Sequence, residues 1–482
     1  MCQFNILIIY LLLFFCLNSL IILIKTKMIL KSINPSTGKK IKEYKCFSEN
    51  KVNSVINNVY EDYHLWKNIS IEKRSEVLLS IAKKLKSDLN IHSKMISIEM
   101  GKPITESRSE VLKCVWVIEF YVKNSKKFLE NEYIDTEYDE SFIQYEPLGM
   151  IFGVMPWNFP YWQVFRFIVP SLIAGNVCVV KHAPNVSGCA LLIEKLFNEN
   201  LIYKNIFKVL LVSKSEVSKI ISNVKISAVT FTGSENAGSQ VAMKSGKEIK
   251  KTVLELGGSD SFIVLEDANV DIASKIAIKS RFFNSGQSCI AAKRFLVHKD
   301  IYDVFIEKIK KNILDLKMGD PLKKETNIGP LAKIEFVDKL DTLVKSSIKK
   351  GAKCLIGGKK KNFFYYPTLL VDVDETMDVF NYETFGPIFS VIKINNAEEA
   401  IEISNNSIYG LGGSVWTSDL KKGKKIASKI ESGAVFINDM TKSDPRLPFG
   451  GIKKSGYGKE LSVYGIKEFV NMKTITVSKI DR

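Results

Sequence analysis

Histidine is scarce in this sequence, and cysteine shows no pairing pattern. The four histidines among 482 residues, His64, His92, His182 and His298, have no metal-ligand spacing, so no metal site is expected. The eight cysteines include no C-x-x-C pair and no regular spacing, which argues against a zinc site or a disulfide framework and favours a reducing compartment. A reactive cysteine in such a chain would more naturally take its base from a carboxylate than from an imidazole.

Acidic residues are outnumbered, yet the basic excess lacks the pattern of a nucleic-acid-binding protein. The formal net charge of +17 comes from lysines scattered along the chain, without arginine clusters or alternating aromatic and basic residues. We therefore expect no nucleic-acid partner, and instead a solvated basic surface that favours anionic small molecules. The composition, 46% hydrophobic and 25% charged, is typical of a globular protein, and 482 residues predict roughly two to four compact units.

A long hydrophobic run covers residues 6–24, and it lacks the signals of a secretory leader. Its length is enough to cross a bilayer, but no basic segment precedes it and no A-x-A cleavage site follows it. A second methionine, Met28, opens a more ordinary sequence. Two interpretations remain open. In the first, residues 1–27 are an apolar extension that results from a misassigned translation start, and the protein is cytoplasmic. In the second, residues 6–24 anchor the protein in a membrane.

Helical and strand periodicities organise the remaining chain. Apolar residues three and four apart predict helices over 48–129, and the alternation in 132–150 predicts a β-hairpin. Strands and helices then alternate in two successive series, which predicts two doubly wound α/β domains with parallel sheets. The last residues, EFVNMKTITVSKI, return to a strand pattern. No G-x-G-x-x-G motif is present, so the usual dinucleotide fingerprint does not support a cofactor domain.

Four short motifs place polar residues where predicted strands or turns end. VVKHAPN ends a strand at Lys181, at the edge where doubly wound sheets bind ligands. FTGS starts a helix at Gly233 and Ser234, whose free N–H groups suit a phosphate. LELGG places Glu255 where burial would raise its pKa, and PWNFP fixes the backbone around Asn158. Taken singly, each motif also fits an ordinary structural role, as a surface lysine, a capped helix, a salt-bridged glutamate or a rigid turn.

The order of the motifs is more specific than any one of them. PWNFP, the lysine, FTGS, ELGG, NSGQSC, ETFGP and PFGGIKKSGYGKE follow one another as in the aldehyde dehydrogenase superfamily, which the chain resembles from Ile33 to its C-terminus. Within it, EMGKP, KHAPN and KMGDPL look most similar to bacterial NAD(P)-dependent succinate-semialdehyde dehydrogenases. The resemblance implies a Rossmann-like NAD(P)-binding domain (28–131 and 151–255), a catalytic domain (256–452) and a small β oligomerisation element (132–150 and 466–482). A homodimer or homotetramer is then expected.

The resemblance also implies a covalent mechanism centred on Cys289 in SRFFNSGQSCIAAKR. Cys289 would add to the aldehyde carbon, Asn158 and the Cys289 backbone N–H would bind the oxyanion, and loss of hydride would leave a thioester. Glu255 would activate the water that hydrolyses it, so the product would be a free acid rather than a coenzyme A ester. Ala291 stands two residues further on, which leaves no adjacent thiol for a redox disulfide.

The cofactor contacts that the resemblance implies are spread over the chain. NAD-specific relatives have an acid three residues after the lysine, where it repels a 2′-phosphate, whereas this chain has Pro184. We therefore expect NADP to be accepted, with NAD also used. Glu383 would hold the nicotinamide ribose and Phe385 would pack beside the nicotinamide. The full implied set is Pro156, Trp157, Lys181, Ala183, Pro184, Gly233, Ser234, Leu256, Glu383 and Phe385.

The substrate tail is the part of the site that the sequence defines least. Arg166 and Ser443 match positions that bind a substrate carboxylate in related enzymes, which favours succinic semialdehyde. The position six before the cysteine, an arginine in some of those enzymes, is Phe283, and Arg281 or Arg446 are candidates to compensate. Two alternatives stay open. One is an NAD(P)-dependent dehydrogenase of glutaric semialdehyde or of a broad range of aldehydes, and the other is a catalytically silent binding protein on the same fold.

Overall fold

The computed structural model describes residues 28–199 and 203–479 of the chain. The apolar segment 1–27, with its choice between a misassigned start and a membrane anchor, lies outside these residues. Within the described ranges, each helix is too short or too polar to cross a bilayer.

Strands and helices alternate along the described chain. The strands are β1 (Ile29–Ile33), β2 (Lys40–Lys45), β3 (Glu132–Tyr133), β4 (Glu140–Pro147), β5 (Met150–Met155), β6 (Val177–His182), β7 (Phe207–Val209), β8 (Ile226–Thr232), β9 (Lys251–Glu255), β10 (Ser261–Val264), β11 (Arg294–His298), β12 (Lys353–Ile356), β13 (Lys360–Lys361), β14 (Phe364–Tyr365), β15 (Thr368–Val371), β16 (Ile388–Ile394), β17 (Tyr409–Gly410), β18 (Gly412–Trp416), β19 (Ala434–Ile437), β20 (Ile452–Lys453), β21 (Gly456–Tyr457) and β22 (Val470–Val477). The α-helices are α1 (Glu49–Trp66), α2 (Ile71–Ser87), α3 (Leu89–Met100), α4 (Ile104–Phe128), α5 (Trp162–Ile173), α6 (Ser187–Asn198), α7 (Val217–Ser222), α8 (Glu235–Lys247), α9 (Val270–Phe282), α10 (Tyr302–Leu314), α11 (Ile334–Lys349), α12 (Asp378–Asn381), α13 (Ala397–Asn405), α14 (Leu420–Ala427) and α15 (Ser462–Lys467).

A six-stranded sheet positions the first group of motifs. Its order is β21-β9-β8-β5-β6-β7, with the strands from β9 to β7 parallel and the two-residue β21 antiparallel at one edge. Strands β5 and β6 are buried along their whole length, as expected for central strands of a parallel sheet that is covered on both faces. The chain order reverses at β5, which pairs with both β8 and β6. A ligand crevice is therefore expected at the carboxyl ends of these strands.

A seven-stranded sheet forms the second half of the molecule. Its order is β12-β15-β16-β11-β10-β18-β19, with β12 an antiparallel edge strand and the others parallel. Two apolar clusters cover its faces, one including Leu340 and Val344 of α11 and the other including Ala277 of α9 and Ile309 of α10. Helix α11 illustrates why these segments are helical, because Val337, Leu340 and Val344 lie three and four residues apart on its buried face.

A three-stranded antiparallel sheet joins the predicted hairpin to the C-terminal strand. Strand β4 pairs with β3, and it pairs with β22 from Glu140 opposite Val477 to Pro147 opposite Val470. The hairpin predicted over 132–150 is therefore present. The outer edge of β22 has no strand partner among the described residues, which leaves a row of backbone hydrogen-bonding groups open.

The α/β fold class predicted from the sequence is confirmed, with two doubly wound parallel sheets and a small antiparallel sheet. The assignment of residue ranges to a cofactor domain, a catalytic domain and an oligomerisation element stays a prediction. One pairing between distant segments bears on the site. Gly456 of β21 lies opposite Glu255 at the end of β9, which brings the C-terminal segment beside that carboxylate.

Candidate active site

Cys289 lies where two cavities meet. The first cavity, of about 240 Å³, is lined by residues of α4 and α5 and by the segment that carries Ser443. The second cavity, of about 230 Å³, lies at the carboxyl ends of β5, β8 and β9 and is lined by Gly233 and Glu383 among others. Cys289 lines both cavities. Two ligands can therefore approach its sulfur, one from each side.

The backbone just before Cys289 has an unusual conformation. Asn284 and Ser285 both have a φ of 54°, and Gly286 follows with a φ of 75°. A Cβ on Gly286 would lie 2.3 Å from the carbonyl oxygen of Gly386, so only glycine fits there. Left-handed conformations at two non-glycine residues are strained, and such strain is found where function fixes the backbone. This turn leads from the end of α9 to the junction of the two cavities.

Helix α4 supports the turn with a buried carboxylate. Glu106 accepts a hydrogen bond from the backbone N–H of Asn284 at 2.7 Å, and burial raises the pKa of Glu106 to about 7. The Asn284 side chain in turn donates to the carbonyl oxygen of Asn158 at 2.8 Å. One asparagine therefore joins the strained turn to the segment that carries Asn158.

A buried lysine holds the residues on the other side of the turn. The ammonium group of Lys293 donates to the carbonyl oxygens of Ser288, Cys289 and Ala291 at 3.0, 2.7 and 3.1 Å. It also lies 3.4 Å from a carboxylate oxygen of Glu383. Because these contacts use its donors within the protein, Lys293 positions the cysteine loop and is not free to act as a base.

The thiol of Cys289 is protonated in the resting protein. Burial raises the pKa of Cys289 to about 12, although the positive charges of Arg166 and Lys293 oppose the shift. The thiolate is the nucleophilic form of cysteine. Attack on an aldehyde therefore requires a base to accept the proton, or a change in the surroundings of the sulfur when ligands bind.

Asn158 presents a fixed amide to the second cavity. Its Nδ2 donates to the carbonyl oxygen of Gln287 at 3.1 Å, and its Oδ1 accepts from the side chain of Gln163 at 3.2 Å. An amide nitrogen carries two hydrogens, so one remains for a ligand. Asn158 and Cys289 line the same cavity. The predicted oxyanion donor and the predicted nucleophile are therefore brought together.

Glu255 lines neither cavity. Its side chain is buried, and neither carboxylate oxygen has a hydrogen-bond partner among the described residues. Burial, and then the nearby carboxylate of Glu460, raise the pKa of Glu255 to about 8, while Arg166 opposes the shift. Glu460 itself forms a buried ion pair with Arg166. Burial therefore favours the protonated form of Glu255 at neutral pH, and its side chain is not part of the lining of the two cavities that meet at Cys289.

Most of the predicted cofactor contacts line the second cavity. A Cβ on Gly233 would lie 2.6 Å from the ring of Phe231, so the absence of a side chain keeps the start of α8 close to β8. Lys181 ends β6, and Ala183 and Pro184 follow it, outside the lining of this cavity. The predicted contacts that do line it are Pro156, Trp157, Gly233, Ser234, Leu256, Glu383 and Phe385.

Two features of this region fit the phosphates of a dinucleotide. Helix α8 begins after Ser234, whose side chain makes no capping hydrogen bond, so the first N–H groups of the helix stay available to an anion. Burial, and then the Lys214 and Lys333 cations, lower the pKa of Lys181 to about 8. Several positive charges close together at the carboxyl edge of the sheet favour a negatively charged group there.

The far wall of the second cavity combines a carboxylate with aromatic rings. Glu383 accepts a hydrogen bond from the backbone N–H of Gly258 at 3.1 Å. The Phe385 ring meets the Trp157 ring edge to face at 5.7 Å between centroids, and Trp157 stacks on Phe336 at 4.9 Å. A carboxylate that can accept from a ribose hydroxyl, next to a rigid aromatic wall, suits a nicotinamide riboside.

Arg166 and Ser443, the predicted substrate residues, both line the first cavity. The guanidinium group of Arg166 pairs with Glu460, and its Nη2 has no hydrogen-bond partner among the described residues. The Ser443 hydroxyl oxygen accepts from Lys113 Nζ at 2.8 Å and from Trp162 Nε1 at 3.1 Å. The structure therefore places a third polar residue, Lys113, beside the two predicted ones.

Neither arginine that was a candidate to compensate for Phe283 reaches the first cavity. Arg281 is fully buried and donates to three backbone carbonyl oxygens of the surrounding loops. Arg446 is exposed and pairs with Asp444 at 2.6 Å. Neither candidate is part of the lining of the first cavity, and most of their donors bind other groups. Phe283 lines the cavity as an apolar wall and stacks on Phe159 at 5.8 Å.

Four charged residues of the site were not singled out from the sequence: Lys113, Glu106, Lys293 and Glu460. Two of them stand in motifs that were recognised, since Lys293 follows the cysteine in CIAAKR and Glu460 ends GYGKE. Lys113 lies among apolar residues in VLKCVWVI, which is a weak signal of a lysine on a buried helix face. Glu106 has no comparable signal, because acids in the first turn of a helix are common.

Metal ligation and disulfides have no support in the described part of the chain. Among residues 28–199 and 203–479, no group of three or more His, Cys, Asp or Glu side chains could hold a metal ion. The cysteines in these ranges are free: Cys46, Cys114, Cys178, Cys189, Cys289 and Cys354.

Three known proteins are similar to this chain over most of its length. A probable NADP-dependent succinate-semialdehyde dehydrogenase of Synechocystis sp. is 43% identical over 454 residues, which cover 94% of this chain and 100% of that protein. The NADP-dependent succinate-semialdehyde dehydrogenase 1 of Mycobacterium bovis is 40% identical over 457 residues, which cover 94% of this chain and 100% of the relative. The succinic semialdehyde dehydrogenase of Streptococcus pyogenes, solved in complex with NADP+, gives a TM-score of 0.91 at 34% identity and covers 93% of this chain and 100% of that one.

The family match extends over nearly the whole chain. The sequence fits the aldehyde dehydrogenase family over residues 24–475, and this range contains both cavities and the cysteine between them. With this match and with relatives of 40% identity or more along almost its full length, the protein belongs to the aldehyde dehydrogenase family.

Proposed function

We propose that this protein oxidises succinic semialdehyde to succinate, with NADP as the electron acceptor and NAD as an alternative. The observation that carries the proposal is the position of Cys289 between a cavity with buried cationic residues and a cavity at the carboxyl ends of the first sheet. An aldehyde with a carboxylate tail suits the first cavity, and a dinucleotide suits the second. The names of the relatives described above support the same substrate and cofactor.

The first half of the reaction uses Cys289 and Asn158. The Cys289 thiol passes its proton to solvent water, and its sulfur bonds to the aldehyde carbon while the carbonyl electrons move to oxygen. This oxyanion accepts hydrogen bonds from the free amide hydrogen of Asn158 and from the backbone N–H of Cys289. NADP, when bound, supplies the acceptor for the hydride that must leave this carbon before a thioester is formed.

The second half of the reaction uses Glu255. Its ionised carboxylate takes a proton from water, the resulting hydroxide adds to the thioester carbon, and the carbon–sulfur bond breaks to release the acid and restore Cys289. The charge of Arg166 favours the ionised form of Glu255, while Glu460 disfavours it. Burial therefore raises the pH at which Glu255 can act, and the Arg166–Glu460 pair adjusts that pH.

The cofactor preference rests on charge around Lys181. We expect Lys181, Ala183 and Pro184 to face the adenosine ribose, because they end and follow a strand beside the crevice. The Lys214 and Lys333 charges act on the same region, and Pro184 stands where an acid would repel a 2′-phosphate. NADP should therefore bind at least as well as NAD.

The assembly and the cellular location are part of the proposal. The open edge of β22 and exposed apolar residues on the three-stranded sheet, such as Tyr133 and Met472, favour a homodimer or homotetramer. Free cysteines throughout the described residues fit the reducing conditions of the cytoplasm. The partition into an NAD(P)-binding domain (28–131 and 151–255), a catalytic domain (256–452) and an oligomerisation element belongs to the same proposal.

Steady-state kinetics of the purified protein test this function. Succinic semialdehyde, glutaric semialdehyde and butyraldehyde are compared with NADP and with NAD, and Cys289→Ala is the inactive control. We expect kcat/KM for succinic semialdehyde to exceed that for butyraldehyde roughly tenfold or more, because butyraldehyde lacks the charged tail. Equal kcat/KM values for succinic semialdehyde and butyraldehyde would contradict recognition of a carboxylate tail. A higher kcat/KM for glutaric semialdehyde than for succinic semialdehyde would assign the longer aldehyde as the substrate. If neither cofactor were reduced, the protein would be a catalytically silent binding protein on this fold.

A further inference from the structure

Lys113 lines the first cavity, and it forms no ion pair within residues 28–199 and 203–479. It lies on α4, with Nζ 2.8 Å from the Ser443 hydroxyl and 4.3 Å from the centroid of the Trp162 ring. Its hydrogen-bond partner is neutral, and the cation–π contact orients the ammonium group without cancelling its charge. The lysine therefore keeps a charge that an anion entering the cavity can meet.

The acids that influence Lys113 are already paired with other cations. Asp444 and Glu110 both act on its charge. Asp444 pairs with Arg446 at 2.6 Å, and the Glu110 carboxylate pairs with the buried Lys102. Neither acid is therefore free to neutralise Lys113.

The Ser443 hydroxyl completes the arrangement. Its oxygen accepts from Lys113 and from the indole N–H of Trp162, which uses both of its lone pairs. The hydroxyl hydrogen must then point to a third partner, and Ser443 lines the cavity. Arg166, whose Nη2 has no hydrogen-bond partner among the described residues, lines the same cavity, so three donor-bearing side chains surround it.

We propose that Lys113 is a specificity-determining residue that binds the carboxylate of the substrate together with Arg166 and Ser443. It supplies the positive charge that position 283 lacks, since Phe283 forms an apolar wall of the same cavity. This inference rests on the proposed function, because it assigns the charged end of the proposed substrate. The ligand class is an aldehyde whose far end is a carboxylate.

The charge state of Lys113 agrees with this role. Burial, and then the neighbouring Arg166, lower the pKa of Lys113 to about 8, while Cys114, Asp444 and Glu110 oppose the shift. The lysine is therefore mostly protonated at neutral pH, and a bound carboxylate favours the protonated form further. The KM for a carboxylate substrate should rise as the pH increases through about 8.

Substitution of Lys113 by methionine and by arginine tests the inference in the full-length enzyme. Lys113→Met should lower kcat/KM for succinic semialdehyde roughly ten- to hundredfold, mainly through KM, while the value for butyraldehyde stays within about twofold. Lys113→Arg should recover part of the loss because it restores the charge. Lys123→Met, an exposed lysine on the same helix, is the matched control and should behave as the wild type.

Inhibition by butyrate separates this inference from the proposed function. With butyraldehyde as substrate, butyrate should inhibit the wild type more strongly than butyramide, its neutral analogue, and Lys113→Met should remove that difference. Retention of the difference, or an equal loss for succinic semialdehyde and butyraldehyde in Lys113→Met, would overturn the role of Lys113. If the wild type prefers butyraldehyde, the proposed substrate is lost, and the butyrate comparison still decides whether Lys113 binds a carboxylate.

Discussion

The carbonyl oxygen of Cys289 accepts a hydrogen bond from the Lys293 ammonium group at 2.7 Å, and the same ammonium group lies 3.4 Å from Glu383. One buried cation therefore connects Cys289, which lines both cavities, to a carboxylate of the second cavity. Substitution of Lys293 should therefore displace both Cys289 and Glu383.

Replacement of Lys293 by methionine should weaken both the fold and the activity. Three carbonyl groups would lose a donor and Glu383 would lose its counterion, which should lower the free energy of unfolding by about 2–4 kcal/mol. Displacement of Cys289 should lower kcat/KM on the order of a hundredfold. Urea unfolding and steady-state kinetics measure the two effects. The control is Lys275→Met, an exposed lysine on α9, and wild-type values for both variants would contradict this role of Lys293.

The pH dependence of turnover should report the ionisation of Glu255. Only the carboxylate can accept a proton from water, and burial with the nearby Glu460 raises the pKa of Glu255 to about 8. The rate of thioester hydrolysis should therefore rise as the pH increases through about 8. If thioester hydrolysis limits kcat, the Glu255→Gln variant should turn over slowly at every pH, and its kcat should show no such rise. A wild-type kcat that falls over this range would contradict the assignment of Glu255.

Lys181 should discriminate between the two cofactors. Lys181→Met removes a buried cation near Lys214 and Lys333, and a 2′-phosphate depends on this charge more than a ribose hydroxyl does. We expect the KM for NADP to rise roughly tenfold and the KM for NAD to change less. Lys247→Met, an exposed lysine on α8, serves as the control. Equal changes for both cofactors would mean that Lys181 does not face the phosphate.

The order of motifs was sufficient to predict the fold class and many of the residues that line the second cavity. Asn158, Gly233 and Leu256 follow β5, β8 and β9, and parallel strands bring their carboxyl ends to one edge whatever the intervening helices contain. These three residues therefore line one cavity because topology places them there, whereas Cys289 reaches the same cavity from the turn after α9.

The first cavity was less predictable because its charges depend on long-range partners. Arg281 was a candidate for substrate binding, but carbonyl oxygens of Thr384 and Gly386, far along the chain, take up its donors. Lys113 was missed for the converse reason. An amphipathic helix with many lysines gives no sign of which one lies beside Ser443, since that contact joins α4 to a segment near the opposite end of the chain.

The acyl-enzyme on Cys289 is the most direct test of the account. Glu255→Gln should form the thioester on mixing with succinic semialdehyde and NADP, because the first half of the reaction does not need Glu255, and should then hydrolyse it slowly. Mass spectrometry of the quenched variant should find one succinyl group on the peptide that contains Cys289, and none in the double variant with Cys289→Ser. Absence of that group, or its presence on another residue, would contradict the central claim that Cys289 carries the substrate through oxidation.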